Sequence, residues 1–162
     1  MDDKKPWYED VAIPALLRHA RATYGVAMRR ALDEAGYDDI PKNGMYLIGG
    51  MARDVDAIPL GELIKQIGVS KQVASQIVDA LVLRGYLKRE EDPEDRRKSN
   101  LTLTERGRAA GKVQAAARKK IDARLLARVG QEDISRTRRT LAALIDLGQE
   151  SQEDGRGGPS DI

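Results

Sequence analysis

Three consecutive cations, Arg96, Arg97 and Lys98, directly follow the turn-forming sequence Asp-Pro-Glu-Asp at 92–95. An arginine at the tip of a hairpin suits the narrow, electronegative minor groove of DNA, and neighbouring cations suit phosphate contacts. Asp95 precedes Arg97 by two residues and could hold its guanidinium group in a fixed orientation. These residue types and spacings predict a contact with nucleic acid.

A second set of polar side chains begins at Ser70, a good helix N-cap. The outer side of the predicted helix carries Lys71, Gln72, Ser75, Gln76 and Asp79. If this helix enters the major groove, Gln72, Ser75 and Gln76 could meet base edges, because a glutamine amide can bond bidentately to adenine. The inner side of the helix is predicted to consist of Val73, Ala74, Ile77, Val78 and Leu81.

The elements that must position these side chains follow one another closely. Segment 60–87 predicts a two-turn helix, a glycine-containing turn and a second helix. Residues 86–89 and 98–103 predict two strands of a hairpin, with Leu101 and Leu103 on one face. A helix-turn-helix followed at once by a hairpin with a basic tip is a winged helix.

Long helical segments flank the winged helix. The predicted helices outside the helix-turn-helix cover 10–35, 41–51, 105–130 and 132–147. The short sequence 57–60 is either an edge strand or an extended lead-in, and the polar, glycine-rich sequence 149–162 is predicted to be disordered. The chain is thus predicted to be mainly α.

The domain prediction is one domain over 1–150, with the winged helix at about 41–107 and dimerisation helices at about 10–35 and 105–148. Small side chains allow helices to approach closely, and the apolar stripe from Val113 to Val129 is too long to cover easily inside one small subunit. The alternative is that these helices pack only on their own winged helix.

Composition excludes several classes of function. The chain has no cysteine and one histidine, so disulfides, thiolate zinc sites, a cysteine-based oxidant switch and a histidine-rich metal site are not expected. No catalytic triad, phosphate-binding glycine loop or metal-ligand spacing is evident, so we expect neither an enzyme nor a cofactor. No apolar run approaches the ~20 residues of a membrane span, and we expect a soluble, cytoplasmic protein.

Positive charge is concentrated around the predicted hairpin. Residues 1–83 hold 10 basic and 12 acidic residues, whereas residues 84–120 hold 12 basic against 6 acidic. This local excess fits an electrostatic footprint for phosphate, although a solvated helix surface could have the same composition.

The wing sequence resembles that of the MarR family of bacterial transcriptional regulators. The family signature is an aspartate, one residue, an arginine, five residues, Leu-Thr, two residues and a glycine. This chain has Asp95, Arg97, Leu103-Thr104 and Gly107 at that spacing, and the resemblance extends over 41–107. The flanking helices are similar to the family's layout of one N-terminal and two C-terminal helices.

This resemblance implies a homodimer whose terminal helices interlock and whose two winged helices bind double-stranded DNA at a pseudo-palindromic operator. It assigns Arg97 to the minor groove, Asp95 to orienting that arginine, and 70–76 to the start of the recognition helix. The family often has threonine and arginine where this chain has Val73 and Gln76. This difference leaves the operator sequence open.

MarR-like regulators commonly bind small aromatic or phenolic acids between the dimerisation helices and the DNA-binding lobe. His19, Asn43, Tyr46 and Arg53 are chemically suited to an anionic aromatic ligand. A lone histidine on a mixed helix is more often a packed or capping residue, and a tyrosine at such a position is more often part of the core.

The sequence therefore predicts a sequence-specific DNA-binding transcriptional regulator, a homodimeric repressor that a small ligand releases. The alternative is a winged-helix module for protein interaction or dimerisation that binds no specific DNA sequence.

Overall fold

The computed structural model describes residues 6–52, 58–59, 70–91 and 99–154. The described elements, in chain order, are a 3-10 helix (Trp7–Asp10), helix α1 (Ile13–Glu34), helix α2 (Gly44–Met51), strand β1 (Ile58–Pro59), helix α3 (Lys71–Leu83), strand β2 (Leu87–Glu91), strand β3 (Ser99–Leu103) and helical segment α4 (Glu105–Asp154). The chain forms two compact units, Met1–Lys120 and Ile121–Ile162. The predicted mainly helical fold with an antiparallel hairpin is confirmed.

Helix α1 begins three residues later than the sequence predicted. Pro14 lies in its first turn, where a missing N–H is harmless. Because proline has no N–H, it cannot donate the backbone hydrogen bond that would extend the helix towards the N-terminus. The preceding residues form the separate 3-10 helix, on which the Trp7 side chain is 74% exposed and meets Tyr8 edge-on. Met28 and Leu32 on α1 point into the core.

Of the two adjacent glycines in α2, Gly49 is required because α4 lies very close to it, whereas a Cβ atom added at Gly50 would meet no atom within 4 Å. A Cβ atom added at Gly49 would lie 2.6 Å from Oε1 of Gln114, and one added at Gly111 would lie 2.6 Å from Cβ of Ala52. The close packing of α2 against α4 thus requires glycine at these two positions. The favourable packing offsets the low helix propensity of glycine.

The three-stranded sheet has the order β1–β3–β2, and both pairs are antiparallel. Pairing of Leu87 with Leu103 and of Arg89 with Leu101 fixes the register of the hairpin. Leu101 and Leu103 are buried, as the alternating pattern predicted. Of the two readings of 57–60, the edge strand is correct for Ile58–Pro59, and an edge is where proline is tolerated.

Helix α3 begins after Ser70, whose Oγ accepts a hydrogen bond from the backbone N–H of Val73 at 3.3 Å. Its inner face consists of the buried residues Ala74, Ile77, Val78 and Leu81. The predicted burial of Val73 is wrong, because its side chain is 38% exposed. Val73 lies in the first turn, on the same side as Gln72 and Gln76, so helical spacing alone misplaced it.

The junction between β3 and α4 is held by Thr104. Its backbone N–H donates to the carbonyl oxygen of Tyr86 at 3.0 Å, and its Oγ1 accepts from the backbone N–H of Gly107 at 3.0 Å. The capping role predicted for this threonine is thus confirmed, and Glu105 occupies the first turn. This junction fixes where the long helix leaves the wing.

Segment α4 is broken at Gly130, which has φ 81° and ψ 167°. The two helices predicted on either side of this glycine are therefore present. The helix continues to Asp154, past the predicted start of a disordered tail at residue 149. Glutamine and glutamate, which dominate 149–154, have good helix propensity, so composition alone underestimated the helix.

Apart from Tyr86 with its hydroxyl group, Gln114 on α4 is the one polar side chain among the buried residues that the structure describes, and it is 1% exposed. Neither its Oε1 nor its Nε2 has a protein hydrogen-bond partner within the described ranges. We expect Gln114→Met, which keeps the shape and removes the amide, to raise the free energy of unfolding by about 1–2 kcal/mol in urea denaturation. A loss of stability would show instead that the amide is satisfied, for example by an ordered water.

Within the parts of the chain that the structure describes, no helix is both long and apolar enough to cross a bilayer.

Candidate nucleic-acid interface

The exposed side of α3 presents short polar and amide groups. Ser70, Lys71, Gln72 and Gln76 are exposed, and Ser75 is half-buried. The exposed methyl groups of Val73 lie among them, and an apolar side chain at such a position can contact the methyl group of thymine. This face can therefore present amide, hydroxyl and methyl groups to base edges.

The orientation of α3 is set from behind by α2. A Cβ atom added at Gly44 would lie 3.1 Å from Cδ2 of Leu81, which is fully buried. The end of α3 is fixed by Gly85, whose φ of 73° favours glycine. The buried face of the helix and its C-terminal end are thus fixed by α2 and by the turn at Gly85.

The two strands of the hairpin are paired along their length. Glu91 and Ser99 are the last partners in the β2–β3 register before the tip of the wing. The predicted tip contacts Asp95, Arg96, Arg97 and Lys98 lie outside the described residues. Their roles in binding DNA stay predictions.

Strand β2 of the wing carries two cations, and each of them pairs with a carboxylate. Arg89 Nη2 lies 2.5 Å from Oδ1 of Asp79 on α3. Lys88 pairs with Glu90, and the hydrogen bond from Lys88 lowers the pKa of the Glu90 carboxyl. The base of the wing is therefore joined to the outer side of α3 by an ion pair.

A polar network behind the hairpin ties three separate segments together. The Tyr86 hydroxyl donates to Asp39 Oδ1 and accepts from Arg106 Nη2 at 2.9 Å. Arg106 Nη2 also lies 3.0 Å from both carboxylate oxygens of Asp39, and Nη1 donates to the carbonyl oxygen of Arg84 at 3.0 Å. The guanidinium carbon lies 4.4 Å from the centre of the Tyr86 ring.

Burial of the Tyr86 side chain, together with its hydrogen bond to Asp39 and the charge of that carboxylate, raises the pKa of the phenol from 10.0 to about 12. The tyrosine is fully buried, whereas the Arg106 and Asp39 side chains that bond to it are 44% and 38% exposed. The network therefore fixes the buried ring from the surface of the fold.

An open groove of about 760 Å³ runs along the C-terminal half of α1 and the start of α2. Its lining includes the apolar residues Val26, Ile40 and Met45 and the phenol of Tyr46. Three cations in the lining are matched by three acids: Arg29, Arg30, Lys42, Asp33, Glu34 and Asp38. The groove therefore combines apolar contact with a balanced set of charges and a hydroxyl group.

Of the four residues predicted for a ligand, Tyr46 lines this groove. Its ring lies under the Arg21 guanidinium at 4.7 Å, and its hydroxyl fills the space beside Gly25. The side chains of His19 and Asn43 are exposed and do not line the groove. The Arg53 side chain lies outside the described residues.

Sequence patterns missed two features of this surface, the exposure of Val73 and the pairing of Asp79 with Arg89. Only the ion pair had a signal in the sequence, since Asp79 is the sole acid on an otherwise neutral or basic helix face. Nothing in the spacing identified its partner, which lies ten residues further along the chain.

Comparison with known proteins supports the resemblance given by the wing sequence. The family model for the MarR family matches residues 45–98. No curated protein matches the sequence closely enough to count as a relative.

Solved structures share the fold at low sequence identity. FabT from Streptococcus pneumoniae in complex with DNA has 20% identity and a TM-score of 0.72, covering 85% of this chain and 96% of FabT. The MepR–DNA complex from S. aureus has 15% identity and a TM-score of 0.69, covering 85% and 99% respectively. MarR from E. coli in its apo form has 18% identity and a TM-score of 0.63, covering 83% and 97%.

Proposed function

We propose that this chain, which has the winged-helix fold of MarR-family transcription regulators and matches that family over 45–98, is a homodimeric repressor that binds a specific DNA operator. The observation that carries the proposal is the exposed amide and methyl face of α3 beside a wing whose tip sequence has three consecutive cations. Two of the structures that share the fold are complexes with DNA, which supports the same mode of binding. In this proposal the protein is cytoplasmic, and it acts by binding DNA and not by catalysing a reaction.

In this proposal α3 enters the major groove and Gln72, Ser75 and Gln76 read base edges. Ser70 caps the helix and directs its N-terminal N–H groups towards a phosphate, while Lys71 adds a charge contact. At the wing, Arg97 enters the minor groove with Asp95 as its orienting partner. Arg96 and Lys98 contact phosphates on either side.

A second copy of the chain is the proposed partner. In the second unit no described side chain between Ile121 and Glu150 is buried, although the segment is rich in leucine and isoleucine. Exposed apolar residues of this unit are Leu125, Leu126, Val129, Leu144, Ile145 and Leu147. A helical segment with this much exposed apolar surface is expected to be covered by another chain. Sedimentation equilibrium measures the dimer directly.

The proposed effector is a small aromatic or phenolic acid. The groove along α1 and α2 supports this class of ligand, because Val26, Ile40 and Met45 offer apolar contact and Lys42 offers charge for a carboxylate. Arg29 also lines the groove, but it is paired with Asp33 at 3.6 Å and donates to the carbonyl oxygen of Ile40 at 2.9 Å. Tyr46 adds a hydroxyl group at the groove wall. Release from DNA follows if the ligand binds the DNA-free form more tightly than the bound form. His19 and Asn43 lie outside this lining, and a ligand contact for them or for Arg53 stays a prediction from the sequence.

The alternative function is a protein-interaction module that uses the winged helix without reading DNA. It would leave the amide groups of α3 and the basic tip of the wing without a partner. Selection of bound fragments from genomic DNA separates the two functions, because a regulator enriches a two-fold symmetric sequence with half-sites about one helical turn apart. An interaction module enriches none.

The minor-groove role predicts the effect of substituting Arg97. We expect Arg97→Ala to weaken operator binding about tenfold, because a charged, directional groove contact is lost. Arg97→Lys keeps the charge but not the planar fork, so it should recover only part of the affinity. Fluorescence anisotropy with an operator fragment measures both variants, and sedimentation checks that the dimer is intact. Unchanged affinity for Arg97→Ala would contradict the assignment of the groove contact.

A further inference from the structure

Asp79 stands where a DNA-binding helix would not be expected to carry an acid. It follows Gln72 and Gln76 on α3 by seven and three residues, so helical spacing places it on the same exposed side. A carboxylate on that side repels the phosphate backbone. The side chain of Asp79 is nevertheless 65% exposed and is held by Arg89 at 2.5 Å.

Arg89 comes from the other half of the winged helix. It lies on β2, opposite Leu101 of β3, and its side chain is 43% exposed. A guanidinium group has five N–H donors, and one carboxylate uses at most two of them. Arg89 therefore has donors left for a phosphate oxygen, but Asp79 restricts where it can offer them.

A contribution to the stability of the fold does not explain the ion pair between Asp79 and Arg89. Two groups this exposed are screened by water, and such pairs contribute little to folding. The core of the winged helix instead depends on buried residues such as Leu81 and Leu101. The effect of the ion pair is to join the outer side of α3 to the base of the wing.

We propose that Asp79 is a positioning residue that determines specificity by holding Arg89 against α3. This inference rests on the proposed function of operator binding. With Asp79 in place, Arg89 reaches a phosphate only where the spacing between the major groove and the backbone matches the operator complex. On other DNA the Asp79 carboxylate repels the backbone while Arg89 stays on the protein, so non-specific affinity is kept low.

The test is a double-mutant cycle with Asp79→Asn, Arg89→Gln and the double variant. Affinities for an operator fragment and for mixed-sequence DNA are measured by anisotropy over a range of salt concentrations. For Asp79→Asn we expect mixed-sequence binding to tighten about two- to fivefold and its salt dependence to steepen by about one phosphate contact. The ratio of specific to non-specific affinity should fall by a similar factor.

Arg89→Gln should remove the part of this effect that comes from freeing Arg89, so Asp79→Asn should tighten mixed-sequence binding less in the Arg89→Gln background than in the wild type. Asp79→Glu keeps the carboxylate and should retain most of the specificity ratio. Glu132→Gln is the matched control, because it removes one negative charge from the exposed ion pair that Glu132 forms with Arg136, which belongs to neither α3 nor the wing. It should leave the ratio unchanged.

Two results would overturn the inference. If Asp79→Asn tightens mixed-sequence binding equally with and without Arg89, the carboxylate acts by simple repulsion and positions nothing. If the specificity ratio of Asp79→Asn equals that of the wild type, the pair has no role in recognition. A wild-type protein that prefers no DNA fragment would instead overturn the proposed function, and the inference with it.

Discussion

Replacing Gly107 by alanine is expected to destabilise the protein by about 3–5 kcal/mol, a large part of the stability of an ordinary domain. A Cβ atom at this position would lie 2.1 Å from the carbonyl oxygen of Tyr86 and 2.9 Å from Cδ2 of Leu103. The carbonyl oxygen belongs to the backbone and accepts the N–H of Thr104, so it cannot move aside without breaking the start of α4. The added methyl group therefore has to displace α4 from the hairpin.

Urea denaturation followed by far-ultraviolet circular dichroism measures this loss of stability. The control is Gly50→Ala in α2, where an added Cβ atom meets no atom within 4 Å. That variant should be neutral or more stable by up to about 1 kcal/mol, because alanine has the higher helix propensity. Equal stabilities of the two variants would show that the contact at Gly107 relaxes easily, contrary to the packing described above.

The second large effect is expected at alkaline pH and arises from Tyr86. Its pKa is raised to about 12 in the folded protein, mainly by burial and then by Asp39, whereas the unfolded chain has the ordinary value of 10.0. Between these values the folded state binds more protons than the unfolded state. The contribution is therefore fully present below pH 10 and is lost as the pH rises through 12. The two-unit shift corresponds to about 2–3 kcal/mol of unfolding free energy.

Urea denaturation at a series of pH values from neutral to strongly alkaline follows this loss, with Tyr86→Phe as the matched variant. Phenylalanine keeps the ring against Arg106 and removes the ionisable hydroxyl. We expect Tyr86→Phe to be less stable at neutral pH, where it lacks the hydrogen bond to Asp39, and to lose less stability at high pH. Parallel pH curves for the two proteins would show that the hydroxyl does not titrate with the assigned shift.

Local rules predicted the features of the fold that depend on a few neighbouring residues. The caps at Ser70 and Thr104, the stop at Gly85 and the break at Gly130 each follow from what one residue type does to the adjacent backbone. The hairpin followed from alternation and a turn sequence. The wing signature then added the family resemblance, and with it the proposed mode of binding.

Contacts between distant segments could not be read from the sequence. Arg106 pairs with Asp39 across 67 positions of the chain, and no local pattern links them. The burial of Gln114 likewise depends on how closely α2 approaches α4, which glycine makes possible but does not specify. Val73 was misplaced for the same reason, because its exposure depends on which side of α3 the other elements cover.

The position of the only tryptophan has a consequence for optical experiments. Trp7 lies on the short 3-10 helix ahead of α1, largely in solvent and in edge contact with Tyr8. Its fluorescence emission therefore reports the environment of the N-terminal segment. The emission should change little when the core around Leu81 and Tyr86 unfolds. The chain carries an intrinsic fluorophore that separates events at its N-terminus from the unfolding of its winged helix.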